Sequence, residues 1–511
     1  MPSDEHDTTP AQLAGRREWI GLAVIALPCV LYAMDLTVLD LAVPSLSADL
    51  KPTSAQLLWI ADIYGFVLAG LLIPMGTLGD RIGRRRLLLI GAAAFGAASI
   101  LAAFSKTAAM LIVARALLGI AGATLAPSTL SLIRNMFHDD DQRAMAIGLW
   151  ATSYSVGGAL GPLVGGALLN HFWWGSVFLI GVPIMLLLLI LGPILLPEFR
   201  DPNAGRMDLP SALMSLAAVL SVIYGVKQLA QDGNAVWAVA SIAFGLVIGT
   251  GFIRRQRTLA DPLIDLTFFR IRSFSTALGA YTLTTFVAFG IFLFISQYLQ
   301  LVRGLSALEA GFWMLPIFAS FITGSMISPL IARRVRPTIV MAAGLGFSAI
   351  GFMVLTTVGV GSALLTVVIG CVVYSLGLAP VFTLTTNMIV GAAPPERAGA
   401  AAALSETGSE LGGALGIALL GSVGTAVYRS AMLRTTPGGL SVDASAVARG
   451  TLGGAFAVAR DLPERLGADL IAAARVAFSE SFMMAALISA LVALATGIAV
   501  IVLLRKTPRP G

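Results

Sequence analysis

The sequence predicts an all-α polytopic membrane protein made of two six-helix bundles with two further helices inserted between them, fourteen transmembrane helices in all. Three observations carry this. Of 511 residues, 57% are hydrophobic and only 12% charged, where an average soluble domain is about a quarter charged. The mean hydropathy of +0.89 comes from recurring apolar runs of about 20 residues, the length that crosses a bilayer as a helix. A short motif also recurs in the second half of the chain, at the place expected if one bundle repeats the other.

Taken in order, apolar runs bounded by charges place spans near 19–39, 57–76, 87–104, 109–133, 144–168 and 173–196. The first reads as a retained span, because its apolar region is long, is interrupted by Asp35 and is followed by no small-residue cleavage site. Two more runs lie near 209–229 and 236–253, and six follow near 274–297, 307–331, 338–358, 363–390, 398–425 and 481–504. Asp141-Gln142-Arg143-Ala144 opens the fifth span, which runs on through Gly157-Gly158-Ala159-Leu160-Gly161. Pro395-Glu396-Arg397-Ala398 opens the thirteenth, which runs on through Gly412-Gly413-Ala414-Leu415-Gly416. If those two correspond, the chain divides into a tail (1–18), a first bundle (19–196), two inserted helices with linkers (197–272), a second bundle (273–504) and a closing tail (505–511). Two repeats meeting at a midplane site are a transporter design that works by alternating access.

Basic residues fix the orientation. The segments on the side of the N-terminus hold 22 of them, from Arg16 and Arg17 through the Arg84-Arg85-Arg86 run to Arg505 and Lys506. The short loops opposite hold Lys51, Lys106, Lys227 and Arg303. The excess predicts both termini in the cytoplasm. The long outer segment 426–480 is set aside from that count, since the rule concerns short loops. Its stretches Ser445 to Arg460 and Pro463 to Glu480 read either as two short amphipathic helices over the outer mouth or as a disordered loop.

Composition also excludes function classes. None of the four lysines sits in the Gly-Lys-Ser/Thr context of a phosphate-cradling loop, so no nucleotide drives the protein. His6, His138 and His171 fall in the tail or loops, and Cys29 and Cys371 lie far apart in apolar runs. No metal, cofactor or disulfide is expected. The pI of about 9.6 reflects arginine in short loops, which the membrane explains without nucleic acid.

Ionisable groups inside a membrane cost about 2.5–3.5 kcal/mol at a helix centre even on the gentler scales, so each needs a reason. Five stand away from the ends of the predicted spans: Asp35, Asp62, Arg115, Glu406 and Glu410. Four acids against one base leave carboxylates available for protons or a cationic substrate. Asp35 and Arg115 read as proton-coupling residues or as a buried ion pair, and the two readings overlap. Asp62 is either solvated at the outer mouth or a receiver of cations. Glu406 and Glu410, four residues apart on one helical face, would share a proton or bind substrate, or else supply polarity to helix packing. Tyr32, Trp59, Tyr64, Trp150, Tyr154 and Phe289 offer faces to a lipophilic cation, unless they are belt or packing residues. Tyr281, Phe292, Tyr298 and Tyr374 share that ambiguity.

Together these residues resemble the major facilitator superfamily, and within it the 14-span drug:proton antiporters that include quaternary-ammonium and multidrug exporters. Gly76-Thr77-Leu78-Gly79-Asp80-Arg81-Ile82-Gly83-Arg84-Arg85-Arg86 matches the family's loop between spans two and three. The resemblance implies a cytoplasmic latch holding the outward-open state, formed by Gly76, Asp80, Arg81, Gly83, Arg84 and Arg85. Leu111 to Gly119 is similar to the span-four motif whose arginine, here Arg115, is implicated in proton coupling. Gly157 to Gly166 resembles the span-five motif of antiporters, with Gly157, Gly161, Pro162, Gly165 and Gly166 as its marked positions. Met34 to Pro44 and Trp59 to Tyr64 look like the span-one and span-two signatures. Asp40 stands where the family usually has Asn, and span ten has no carboxylate after Glu309, where some relatives carry one.

The expected function is therefore proton-coupled export of amphipathic, cationic drugs or toxic compounds across the inner membrane by a monomer. Asp35, Arg115 and Glu406 would carry the proton, while Asp62 and Glu410 with the aromatic faces would hold the substrate. The nearest alternative is an exporter dedicated to one endogenous metabolite or self-made antibiotic. An importer, a membrane sensor and a membrane-embedded enzyme fit less well, the last because no nucleophile or metal constellation is visible.

Overall fold

In the computed structural model the described residues are 13–50, 52, 54–200, 208–230, 235–259, 262–264, 266–305, 307–394 and 397–504; the side chains of some helical residues within these, Asp40, Asp62 and Pro162 among them, lie outside the description. The described residues contain no β-strand. Helices α1 (Arg16–Leu50), α2 (Ser54–Ile82), α3 (Arg84–Ala103), α4 (Ala108–Met136) and α5 (Asp140–His171) are followed by a broken span, α6 (Ser176–Leu179) and α7 (Gly181–Leu195). The break has a local cause: Pro183 lacks an N–H, and its ring crowds the carbonyl four residues back, on Leu179.

The inserted pair is α8 (Leu209–Ala230) and α9 (Ala235–Gln256). The second bundle comprises α10 (Arg272–Gln297), ending in a π-turn at Tyr298–Val302, then α11 (Ala307–Ala332), α12 (Pro337–Leu355), α13 (Leu364–Ala392) and α14 (Ala398–Thr435). Two short helices, α15 (Val442–Gly450) and α16 (Leu452–Arg460), lead into α17 (Glu464–Leu503). Eleven helical spans among the described residues are long and apolar enough to cross a membrane. Helices α2, α5 and α8 fall outside that set yet pack within the same assembly, α2 on α4, α5 on α1, and α8 on α9 and α2.

Each bundle has its own core. Leu88, Phe95, Leu118 and Ile147 belong to the first, and Ile291, Phe352, Leu378 and Phe482 to the second. A third cluster joins Ile73 of α2 to Ala212 of α8, Phe252 of α9, Leu263 and Phe268 of the following linker, and Phe274 and Ile389 of the second bundle. The inserted pair is thus anchored to both halves. Gly225 and Gly245 let its two helices touch, since a Cβ at either would meet a backbone carbonyl at 2.6 or 2.8 Å. At its Arg-rich end, Asp208 accepts from Arg255 Nε and Nη2 at 2.8 and 3.0 Å and from Ser211 Oγ at 2.5 Å. These donors hold the Asp208 carboxyl down at about 2.

The repeat reappears as packing. A Cβ on Gly157 of α5 would stand 2.2 Å from Val30 O of α1, and one on Gly412 of α14 would stand 2.3 Å from Thr282 O of α10. Span five leans on span one as span thirteen leans on span nine.

One expectation is corrected. Pro463 to Glu480 is not a separate short helix, and span thirteen does not end at 425. Helix α14 continues to Thr435, and α17 is a single 40-residue helix that absorbs the second stretch. At 1.5 Å per residue it is about 60 Å long, twice the hydrocarbon thickness. Charges at Asp469, Arg475 and Glu480 mark where hydropathy falls, but nothing there breaks an alanine-rich helix. Arg475 Nε donates to Leu301 O at 3.1 Å, and Glu480 pairs with Arg434 at 3.0 Å. Helices α15 and α16, N-capped by Ser441 and Thr451, dock on the extended ends of α14 and α17 respectively, where Tyr428 of α14 donates to Ala448 O at 3.0 Å.

Candidate functional site

Several contacts between the halves lie at the Arg-rich end. Arg143 Nε of α5 donates to Asn387 Oδ1 of α13 at 3.2 Å, and Asp141 pairs with Arg333 at 3.0 Å. A Cβ on Gly148 would meet Ser325 O of α11 at 2.8 Å. Val390, Ala398 and Ala402, from the second half, are part of the first bundle's core. That end is closed.

Above this closure lies a connected polar and aromatic cluster. Arg115 of α4 is only 1% exposed. Among the groups that hold its guanidinium, Nη1 donates to Asp35 Oδ2 of α1 at 2.6 Å, Nε donates to Ile60 O of α2 at 3.1 Å, and Cζ sits 4.8 Å from the Tyr64 ring centroid. Gly119 and Gly122 of α4 allow this, because a Cβ on either would run into the Tyr64 backbone or ring. Tyr64 is followed by Tyr32, with centroids 6.1 Å apart, and Tyr32 by Tyr154 at 5.6 Å and Trp150 beyond it at 4.9 Å. Trp150 is fixed by its Nε1–H bond to Thr129 Oγ1 at 3.1 Å.

Tyr32 then crosses between halves. Its hydroxyl donates to Glu410 Oε1 of α14 at 2.7 Å. One turn back, Glu406 lies within electrostatic reach of Cys29 and Tyr154 on one side and Tyr281 on the other, and its buried Oε1 has no hydrogen-bond partner among the described residues. Asp35, Arg115, Tyr64, Tyr32 and Glu410 therefore form one chain of contacts, with Tyr154, Trp150 and Glu406 beside it. The expectation of carboxylates without fixed partners is narrowed: Asp35 has Arg115, Glu410 has Tyr32, and Glu406 keeps an unbonded oxygen. Trp59 and Phe289 are 43% and 47% exposed, unlike the buried Tyr64 and Trp150 and the half-buried Tyr32 and Tyr154, and Phe289 lies over Gly413. The side chain of Asp62 is outside the described residues.

The predicted latch residues form a compact corner of the first half. Gly76 is buried within α2, and Asp80 pairs with the fully buried Arg84. Gly83, with φ of +108°, makes the one-residue connection to α3, and a Cβ there would collide with Glu198. Arg84 N donates to Phe199 O at 2.9 Å, and Arg85 Nη1 donates to Pro193 O and Leu196 O at 3.2 and 3.0 Å. Arg85 and Arg86 also face Glu198, at 3.6 and 3.9 Å. Arg81 is half-buried at the end of α2. Glu198 is a residue the sequence reading missed; an acid just past a span end, opposite an arginine run, is the signal that could have flagged it. The glycines of the span-five motif diverge in role. Gly157 and Gly165 seat α5 on α1, Gly158 meets Phe318 of α11, Gly161 is buried, and Gly166 faces open space. The Pro162 side chain is outside the described residues.

Comparison with known proteins agrees with this architecture. The family model described as Major Facilitator Superfamily matches residues 25–417. The chain is 45% identical over 491 residues to the multidrug efflux pump LfrA of Mycolicibacterium smegmatis, covering 96% of this chain and 97% of that protein. It is 37% identical over 488 residues to the methyl viologen resistance protein SmvA of Salmonella typhimurium, covering 94% and 97%. A tetracenomycin C resistance and export protein of Streptomyces glaucescens is 32% identical, covering 82% and 80%. Among solved structures, a bacterial homologue of the human lysosomal transporter Spinster aligns over 98% of this chain and all of its own with a TM-score of 0.60, at 17% identity, a likeness of fold. Family match, near full-length relatives and two packed helical halves together make this chain a member of the major facilitator superfamily, a multi-pass membrane transporter family.

Proposed function

We propose that the chain is a proton-coupled antiporter that exports amphipathic, cationic drugs or toxic compounds across the cytoplasmic membrane, with its Arg-rich end and both termini in the cytoplasm. The observation that carries this reading is the contact chain from Asp35 through Arg115, Tyr64 and Tyr32 to Glu410, which ties a carboxylate of one half to a carboxylate of the other. The names of the relatives, which mention multidrug efflux, methyl viologen and tetracenomycin C, support a broad substrate range over a single endogenous one.

With Asp35 ionised, Arg115 is neutralised and held over Tyr64. A proton on Asp35 removes the counter-charge from a buried guanidinium, which then seeks another acceptor and disturbs Tyr64 and Tyr32 behind it. On the other side, a lipophilic cation arriving at Glu410 competes with the Tyr32 hydroxyl and finds the faces of Tyr32, Tyr154 and Trp150. Such cation–π contacts contribute about 2 kcal/mol when desolvated. Asp62, toward the outer end of α2, receives the cation on its way, and Glu406 takes a second proton. The latch around Asp80, Arg84, Arg85 and Glu198 holds the outward-open state. No cofactor is required, since the membrane potential supplies about 2.3 kcal/mol per charge per 100 mV, and one chain contains the whole site.

The test is ethidium efflux from a pump-deficient bacterium, with and without a protonophore, beside an Asp35→Asn variant. Efflux that stops with the protonophore and with the substitution is the expected result. A correctly inserted wild-type chain that moves no cation from a broad panel would sink the multidrug reading in favour of a dedicated exporter of one metabolite or antibiotic.

A further inference from the structure

Asp35 has a second side, facing away from the halves' interface. There, within the first bundle, a cavity of about 10 Å³, the size that admits one water, is lined by Leu31, Met34, Asp35 and Val38 of α1, Phe95 and Ser99 of α3, and Val177, Phe178 and Ile180 of the broken span. Two of its polar groups are unspent. Ser99 is 1% exposed, and its hydroxyl makes no hydrogen bond among the described residues. Asp35 engages Arg115 through Oδ2, and its Oδ1 accepts nothing among the described residues. Ser176, next to the lining residue Val177 and nearer the outer end, also has a buried hydroxyl without a partner. A buried hydroxyl without a partner among the described residues, as at Ser176, costs about 1–3 kcal/mol when dry.

We propose that Ser99 and Asp35 hold a water molecule that delivers protons to Asp35 from the outer side between α1, α3 and α6, so that protons reach this carboxylate by a route separate from the substrate. The proposal rests on the proton-coupled reading above. The step balances simply: a proton arriving on the water passes to Asp35, the water keeps its two hydrogens, and the neutral acid no longer holds Arg115. Among the described residues, the titratable or charged groups that face Asp35 from neighbouring elements are Arg115 of α4 and Tyr64 of α2, both on the interface side; α3 and the broken span contribute Ser99 and apolar groups to the cavity lining. The separation has a physical advantage. A bulky cation seated among Tyr32, Tyr154 and Trp150 would block proton entry through the same vestibule, whereas a one-water inlet behind α1 stays open and is too narrow for the drug.

Full-length protein reconstituted in liposomes, with ethidium as the probe, tests this. Ser99→Leu fills the cavity and removes the hydroxyl. Gly181→Ala acts from another element, its new methyl standing 3.1 Å from Ser99 Oγ and 3.3 Å from Leu31 and Phe95. Ser99→Thr keeps the hydroxyl. In the first two variants, ethidium affinity and ethidium exchange at equal pH should stay within about twofold of wild type while pH-gradient-driven uptake slows by about tenfold or more. Ser99→Thr should remain close to wild type in all three readouts. Gradient-driven uptake at the wild-type rate in Ser99→Leu overturns the inlet, as does a parallel loss of affinity, exchange and driven uptake in both variants, which marks a structural role. Wild-type protein that binds and exchanges ethidium yet takes up none under a pH gradient overturns proton coupling itself, so the two failures are told apart.

Discussion

Arg115 donates directed hydrogen bonds to a carboxylate and to a helix carbonyl, and lays its planar face over Tyr64. Lysine keeps the charge but cannot supply that fork and face at once. Arg115→Lys should therefore lower ethidium efflux despite conserving charge, and Arg115→Ala, which leaves a carboxylate in the core without its partner, should cost about 3–5 kcal/mol of stability as well. Efflux assays beside thermal unfolding in detergent separate these effects, and wild-type efflux in Arg115→Lys would count against the forked geometry. Tyr32→Phe is subtler. It retains the ring that contacts Tyr64 and Tyr154 but deletes the hydroxyl on Glu410. A ring that serves only as packing would tolerate the change, whereas a hydroxyl that competes with substrate would not. Tighter ethidium binding with slower turnover is the expected pattern, read by fluorescence titration and efflux. This link was not legible from sequence, because its partners lie 378 residues apart. Each was singled out for itself, Tyr32 as a possible aromatic face and Glu410 as an intramembrane acid; only the meeting of the halves shows them to be one unit.

At the scale of helices, two glycines of one motif predict opposite outcomes. A methyl on Gly157 would enter the carbonyl of Val30 and the side chain of Ala33, whereas a methyl on Gly166 meets nothing within 4 Å. Gly157→Ala should cost about 1–3 kcal/mol through overpacking and reduce efflux, while Gly166→Ala should change neither, as thermal unfolding and transport would show. The inserted pair offers a pH test. Arg255 and Ser211 hold the Asp208 carboxyl at about 2, below its ordinary 3.8. A depressed carboxylate stabilises the fold above the ordinary value and loses that contribution as pH falls through the lowered one. Asp208→Asn should thus lower the unfolding temperature at neutral pH and flatten the wild-type decline between pH 4 and 2. Sequence gave away the spans because bilayer thickness imposes runs of about 20 apolar residues. It did not give away the ends of α14 and α17, because hydropathy marks where lipid stops, and both helices continue past that point on alanine propensity and on contacts such as Tyr428 with Ala448.

For the molecule as a whole, the closure at its Arg-rich end is the property that transport must reverse. The Arg-rich end is closed by a small set of contacts, several of them modest. The Asp141–Arg333 pair is about half exposed on both sides, and exposed pairs contribute only about 0.2–1 kcal/mol. Ser325 and Thr383, on facing elements near Gly148, bury hydroxyls that have no partner among the described residues. A closure made of weak ion pairs and unsatisfied hydroxyls is one that water can compete with, so the closed end is held lightly enough for a proton or a substrate to tip it. If the halves must part here in every cycle, joining them here must stop transport without stopping binding from the other end. Cysteines at 141 and 333, bridged by a short bismaleimide, provide the constraint; native Cys29 and Cys371 are buried and free, which keeps them from competing for the reagent. Bridged protein should bind ethidium with near wild-type affinity and export none, while the same double variant treated with a one-armed maleimide should still export. Export that persists across the bridge would mean that the Arg-rich end does not open between α5 and α11, and alternating access would have to be sought along α2 and α14, where the halves also meet.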